Sequence, residues 1–222
     1  MSKAIFMTGT GTDIGKTYVT GELVRAIQGE GYDVAYYKPV LSGSDNVFES
    51  DAGYVRKRCE LEQPPLSMVT AMYHDAVSPH LAAARMQQGV DLDIVKADFG
   101  AVNMLHDVTV VEGCGGIVCP LTIYADGRKI MQEDVIRTLG LDCLIVADAG
   151  LGTINATVLT IEYMRGRGLG IAGVILNRFD GTNEMHQDNL AMIEKLGGVD
   201  VVATVAQDGM LNVRKPFFVL EA

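Results

Sequence analysis

Six short runs rich in β-branched residues alternate with stretches patterned for helices, and this alternation limits the fold more than any other feature. The runs cover residues 4–8, 33–38, 108–112, 142–148, 171–177 and 199–205. Most are apolar at every position, which is how strands read when both faces of a parallel sheet are covered. The segments between them, 16–28, 79–88, 91–106, 133–139, 155–167 and 183–196, carry helical spacing. Strand–helix alternation predicts an α/β fold: a mostly parallel sheet of about six to seven strands flanked by helices, connected by right-handed crossovers. Glycines at 29, 31, 166, 168, 170, 197 and 198 mark helix ends. No linker or repeat interrupts the pattern, so residues 1–222 read as a single domain. Residues 45–50 and 180–184 read as surface loops, and 215–220 as an edge strand.

Composition narrows the function classes. Lys plus Arg number 18 against 28 Asp plus Glu, a formal net charge of −10. That balance argues against a general nucleic-acid binder, whose affinity comes from clustered cations. No apolar stretch approaches the roughly 20 residues of a membrane span, and Ile5-Phe6-Met7 is too short for a signal-peptide core. A cytoplasmic protein is expected. Cys59, Cys114, Cys119 and Cys143 form no CxxC pair and read as buried free thiols.

The strongest chemical signal is Thr8-Gly9-Thr10-Gly11-Thr12-Asp13-Ile14-Gly15-Lys16-Thr17, between the first strand and the first helix. It approximates the phosphate loop G-x4-G-K-[ST], with Thr10 in the first glycine position and Gly9 one residue earlier. Small residues let backbone N–H groups turn inward around phosphate oxygens, while the helix aims its positive end at them. Lys16 can reach the β- and γ-phosphates, and the Thr17 hydroxyl can ligate Mg²⁺. The loop implies a P-loop NTPase fold and a nucleotide site.

Further candidates fall at the carboxyl ends of the other predicted strands, where open parallel sheets collect ligands. Lys38 precedes Pro39-Val40-Leu41-Ser42-Gly43-Ser44 and could neutralise transferring phosphoryl charge, with Ser42 orienting a substrate. Asp51 reads equally as a helix N-cap or a Mg²⁺ ligand. Glu112 ends an apolar strand in the Walker-B position, before Gly113-Cys114-Gly115-Gly116. Ser78-Pro79-His80 suggests a helix start with a structural histidine. Gly152-Thr153-Ile154-Asn155 opens a helix whose free N–H groups would suit a carboxylate. Asn177 could meet a nucleobase.

Taken in order, these motifs resemble the dethiobiotin synthetase family from residue 3 to about residue 205. The likeness rests on the loop 9–17, Lys38-Pro39-Val40 with Ser42-Gly43-Ser44, Ser50-Asp51-Ala52 and Ser78-Pro79-His80. It continues through Val111-Glu112-Gly113 with Gly115-Gly116, Leu151-Gly152-Thr153-Ile154-Asn155, and Asn177. The resemblance implies a homodimeric, Mg²⁺- and ATP-dependent cyclo-ligase acting on 7,8-diaminononanoate and CO2, with no nucleic-acid or membrane partner. It implies Lys16, Lys38, Thr12 and Ser42 as catalytic, and Thr17, Asp51 and Glu112 as metal ligands. Nucleotide contacts would come from Asp13, Ile14, Gly15, Lys16, Thr17, Tyr18, Asp51, Glu112, Gly113, Cys114, Gly115 and Asn177. Substrate contacts would come from Thr12, Ser42, Gly115, Gly152 and Asn155, the last two serving the neighbouring subunit's substrate. The chain departs from the family at Ala156, where His is frequent, and at Ala206-Gln207, where a Pro usually frames the adenine.

A nucleotide-switch ATPase of the ParA or MinD kind is the alternative. Such proteins usually carry a second loop lysine where this chain has Gly11. A small-molecule kinase would need an arginine-bearing lid, for which Arg128 and Arg178 are the only hints.

Overall fold

The chain threads an eight-stranded sheet in the computed structural model, which describes residues 2–220. Met1, Glu221 and Ala222, the ends of the expected domain, lie outside the described residues. The first half runs β1 (Lys3–Gly9), α1 (Lys16–Gly29), β2 (Val34–Ser42), α2 (Asp51–Arg58), β3 (Val69–Tyr73), α3 (Pro79–Met86), α4 (Leu92–Leu105) and β4 (Val108–Glu112). A hairpin, β5 (Pro120–Ile123) and β6 (Lys129–Met131), precedes α5 (Gln132–Leu139) and β7 (Cys143–Asp148). The chain closes with α6 (Thr153–Gly166), β8 (Ile171–Asn177), α7 (Glu184–Gly197), β9 (Val201–Val205) and β10 (Leu211–Val213). Spatial order is β10-β9-β8-β7-β1-β4-β2-β3, parallel throughout except for β10, which runs antiparallel to β9.

Residue alternation along the strands splits the core into two layers. Ile5, Met7, Tyr36, Val110, Leu144 and Val146 face Val19, Leu23, Val24 and Ile27 of α1 and Ala52 and Val55 of α2. Phe6, Tyr37, Val111, Ile145 and Ala147 face the other way, toward α3 through α7. Each fully buried Leu, Ile, Val or Phe contributes about 1.5–3 kcal/mol relative to exposure. With both faces covered, the strands need not alternate apolar with polar residues, which explains their continuous apolar runs.

The sheet exceeds the six to seven strands expected. β3 is a five-residue edge strand in which only Ala71 and Tyr73 are buried. β10 has three residues. The edge strand expected over 215–220 is instead a tight turn in which Phe217 and Leu220 exchange backbone hydrogen bonds. Pro216 lacks the N–H a ladder requires, and β10 supplies that edge. Residues 45–50 contain a short 3-10 turn over Val47–Glu49, and α2 follows, the helix that the N-cap reading of Asp51 implies, with only Ala52, Gly53 and Val55 buried. The polar stretch 124–129 caps the β5–β6 hairpin, where Arg128 pairs with Asp126 at 2.7 Å and lies over the Tyr124 ring.

Candidate active site

β2 runs to Ser42, past the Lys38 end expected from sequence, and Pro39 explains how it changes neighbours. Val34–Tyr37 pair with β4, whereas Lys38 and Val40–Ser42 pair with β3. The Lys38 N–H donates to the Met68 carbonyl on the β3 side. Successive N–H groups alternate sides, so Pro39 directs its donorless nitrogen where β4 has already ceased to pair. β2 and β4 separate there, and a cleft of about 260 Å³ lies at their carboxyl ends. Thr12, Asp13, Gly15, Lys16, Thr17, Lys38, Ser42, Asp51, Glu112, Gly113, Cys114 and Gly115 line it. The sequence-predicted catalytic residues and most of the nucleotide candidates therefore converge from four separate segments, while Ile14, Tyr18 and Asn177 do not line this cleft.

Parity sets the floor of this cleft. Tyr36 and Lys38 point to the same face of β2, as Glu112 does from β4, toward the start of α1. Lys38 Nζ donates to Asp51 Oδ2 at 2.6 Å and to Glu112 Oε1 at 2.8 Å. Glu112 Oε1 also accepts from Thr17 Oγ1 at 2.7 Å, and Oε2 accepts from Tyr36 Oη at 3.1 Å. A lone buried ion would cost several kcal/mol; this network gives both Glu112 oxygens a donor. Burial pulls the Lys38 ammonium down, but the Glu112 and Asp51 carboxylates outweigh it and raise its pKa above the ordinary lysine value. Burial raises the Asp51 carboxyl, and Lys38 more than reverses that, leaving it below the usual carboxylate range. Burial raises the Tyr36 phenol well above its ordinary value, with Glu112 adding to the effect, so it remains a donor.

Lys16 differs from Lys38. It is buried, and its Nζ donates at 3.0 Å to the Gly11 carbonyl rather than to a carboxylate. Burial lowers its pKa, against the pull of Glu112. Its charge is thus neutralised less locally and is directed at the space enclosed by the loop.

Glycine is sterically required around that space. Gly15 ends the loop at φ 85°, and a Cβ there would lie 2.2 Å from Asn177 Nδ2. A Cβ on Gly113 would lie 2.4 Å from Gln132 Oε1 and 2.8 Å from Phe6. Gln132 fits that close approach: its Oε1 accepts from the Cys114 N–H at 2.6 Å, and its Nε2 donates to Thr8 Oγ1 and the Gly116 carbonyl. Neither Tyr36 nor Gln132 was marked by sequence. Tyr36 lies in an apolar strand, and only its i, i+2 relation to Lys38 hints at a shared face.

The remaining candidates divide between the cleft and other places. Asp51 is the first residue of α2 and Ser50 is its N-cap, so the Asp51 carboxylate is free to meet Lys38. Asn177 is buried, with Nδ2 donating to the Ile14 carbonyl at 2.8 Å and Oδ1 accepting from the Arg178 N–H. It sits beside a second cavity with Gly15, Tyr18, Arg178, Ala206 and Gln207. Gly152 and Asn155 are exposed at the start of α6, outside the main cleft. His80 accepts or shares a proton with Ser78 Oγ at 2.8 Å and does not line the cleft. The four cysteines are free, and Cys114 donates its S–H to the Val40 carbonyl. Arg128 and Arg178 pair with Asp126 and Asp148, and neither lines the cleft.

Mg²⁺ prefers oxygen ligands and bridges phosphates with few protein groups. Thr17, Asp51 and Glu112 bring a hydroxyl and two carboxylates to one wall of the cleft, where Lys38 already binds both acids. That donor set fits Mg²⁺. Among the described residues no third acidic, His or Cys ligand joins it, leaving phosphate oxygens and water for the remaining positions.

A phosphate loop on β1, an acidic residue ending β4 and a lysine on β2 define the class, a P-loop nucleotide-dependent α/β protein. The fold agrees: chloroplast FtsY from Physcomitrella patens superposes with TM-score 0.57 at 17% identity, covering 97% of this chain and 62% of that one. A ParA family ATPase from Chlorobium tepidum gives 0.54 at 12%, covering 94% and 86%. The AAA domain family matches residues 3–213. The ATP-dependent dethiobiotin synthetase BioD of Brachyspira hyodysenteriae is 48% identical over 213 residues, 96% of each chain. The enzyme of the same name from Clostridium novyi is 40% identical, covering 92% of this chain and 87% of its own length. The chain belongs to the dethiobiotin synthetase family. No helix among the described residues is long and apolar enough to cross a membrane.

Proposed function

We propose that this chain is a cytoplasmic, homodimeric, Mg²⁺-dependent synthetase that converts 7,8-diaminononanoate, CO2 and ATP to dethiobiotin, ADP and phosphate. The observation that carries the reading is the pair of buried lysines facing one cleft. Lys38 is already paired with carboxylates, and Lys16 is turned toward the phosphate loop. The kinship with named synthetases supplies the substrates.

The chemistry suits such a cleft. One amine of the diamine adds to CO2, losing a proton, to give a carbamate. A carbamate oxygen attacks the γ-phosphorus, the bond to the β-phosphate oxygen breaks, and ADP leaves a carbamic–phosphoric anhydride. The second amine attacks the carbonyl, closing the five-membered ureido ring as phosphate and a proton depart. An anionic nucleophile meets an anionic phosphate here, so masking charge and aligning the reactants are the main demands. Lys16 stabilises the β- and γ-phosphate oxygens, with loop amides from Asp13 to Tyr18 around them. Lys38 approaches from the carbamate side. Thr12, Ser42 and the Gly115 amide hold the diamine and carbamate, with Gly113 and Cys114 completing that wall. Mg²⁺ held by Thr17, Asp51 and Glu112 would supply further charge neutralisation on the phosphates. Asn177 and Tyr18 flank the base, and Gly152 and Asn155 receive the carboxylate of the neighbouring subunit's substrate.

The test is phosphate release from MgATP with and without bicarbonate and 7,8-diaminononanoate. Release that needs both, with dethiobiotin in equal amount, is the expected result. Release indifferent to the diamine would replace this reading with a nucleotide-switch ATPase.

A further inference from the structure

The phosphate loop is held from outside by two consecutive residues at the end of β8, only one of which the sequence singled out for nucleotide binding. Asn177 Nδ2 donates to the Ile14 carbonyl at 2.8 Å, and Arg178 Nη2 donates to the Asp13 carbonyl at 3.1 Å. A trans peptide is planar, so its N–H points opposite its C=O. Holding the Asp13 and Ile14 carbonyls toward β8 therefore turns the Ile14 and Gly15 N–H groups away from it, to the side where Asp13, Gly15 and Lys16 line the cleft.

The backbone itself needs this restraint. Asp13 has φ 60°, in the left-handed region, and Gly15 has φ 85°. A non-glycine residue there carries on the order of 1–2 kcal/mol of strain, and persists when its surroundings fix it. Arg178 too has φ 56°, the conformation that brings its guanidinium back over the loop. Its second nitrogen, Nη1, pairs with Asp148 Oδ2 at the end of β7, and Asp148 Oδ1 accepts from the Gly150 N–H at 2.8 Å. The guanidinium is thus fixed at both ends before any ligand arrives.

We infer that Arg178, anchored by Asp148, is a positioning residue that presets the Ile14 amide for a phosphate oxygen of the nucleotide. The inference rests on the synthetase reading for the identity of that nucleotide, but not for the existence of the phosphate site. Arg178 also borders the cavity beside Asn177, Tyr18, Ala206 and Gln207. Direct contact with the base is therefore the rival role, and the two differ in what they predict for ligands without a base.

The experiment measures calorimetric binding of Mg²⁺-tripolyphosphate, MgATP and MgGTP to the full chain and to Arg178→Gly, Arg178→Lys and Asp148→Asn. Glycine accepts φ 56° freely, so Arg178→Gly deletes the side chain without adding backbone strain. Loss of one charge-assisted hydrogen bond that presets an amide predicts about tenfold weaker binding of all three ligands by Arg178→Gly. Arginine reaches Asp148 and Asp13 with two separate nitrogens, where lysine brings one, so Arg178→Lys recovers part of the loss. Asp148→Asn weakens all three in the same direction, and adding it to Arg178→Gly costs little more. In steady-state turnover KM for ATP rises while kcat holds, the mark of lost uniform binding. Loss confined to ATP or GTP, with tripolyphosphate unaffected, would overturn the proposal in favour of a base contact. Unchanged binding of all three by Arg178→Gly would overturn it outright. Failure to make dethiobiotin would sink the synthetase reading while leaving these binding measurements intact.

Discussion

Two helices begin in the same way and end up in different surroundings. α1 and α6 each follow a parallel strand through a glycine-rich turn, each starts after a left-handed glycine (Gly15 at φ 85°, Gly152 at φ 90°), and neither has a side-chain cap. Both therefore present free N–H groups and the positive end of a dipole. At α1 these groups open into a cleft walled by Lys16, Lys38, Asp51 and Glu112. At α6 the turn is open: Leu151 is 93% exposed and Gly152 has no neighbour within 4 Å of where a Cβ would stand. The local signal for anion binding is the same in both, and the walls decide what each can do. α1 can handle a polyphosphate alone, whereas α6 lacks the enclosure that would make a site within its own chain.

The largest expected effect tests the enclosed end. Lys16→Ala should lower kcat on the order of 10²–10³-fold, the usual penalty for removing a donor to developing charge. Near-normal turnover would mean that α1 is no more specialised than α6. Next, alanine at the two left-handed glycines should separate clash from strain. At Gly152 only the φ is unfavourable, costing about 1–2 kcal/mol. At Gly15 the same strain is joined by the 2.2 Å approach to Asn177, so Gly15→Ala should lower the melting temperature more and also impair ADP binding. Equal shifts from the two variants in thermal melts would erase the distinction drawn here.

The smallest effect concerns pH. Burial lowers the Lys16 pKa, and its protonated form is the one that binds phosphate. ADP affinity should fall as pH rises through that lowered value, earlier than for an ordinary lysine. Lys38, whose pKa is raised, stays charged through this window. Lys16→Arg, which does not deprotonate, should flatten the alkaline limb of a calorimetric ADP titration. A limb that persists unchanged assigns the titration to another group.

The same contrast explains what was legible in sequence. Periodicity exposed the six central strands because they are covered on both faces, and it missed the edge strands β3 and β10, which are five and three residues long. The phosphate loop and Glu112 were visible because they terminate strands, and Lys38, inside β2, because a lysine has little place in an apolar run. Asp51 was visible but ambiguous, since an N-cap and a Mg²⁺ ligand look alike in sequence, and the fold shows that Ser50 is the cap and that Asp51 pairs with Lys38. Tyr36, Gln132 and Arg178 act through contacts made across the sheet, from Gln132 to Thr8 or from Arg178 to Asp13. One-dimensional spacing holds no record of such pairs. The open turn at α6 was equally beyond reach, because sequence reports the turn but not what stands beside it.

The position of β1 has a consequence for how the molecule comes into being. It lies between β4 and β7, pairing Lys3 with Val108 and Phe6 with Cys143. Both ladders join segments far apart in the chain, the kind of closure that slows folding. During synthesis, β1 therefore waits with Ile5, Phe6 and Met7 unpaired until β4 has emerged, and keeps its other edge open until β7 follows. Nucleotide-binding competence should be among the last properties a nascent chain acquires, and the interval before it is when this apolar strand is most open to a chaperone or to aggregation.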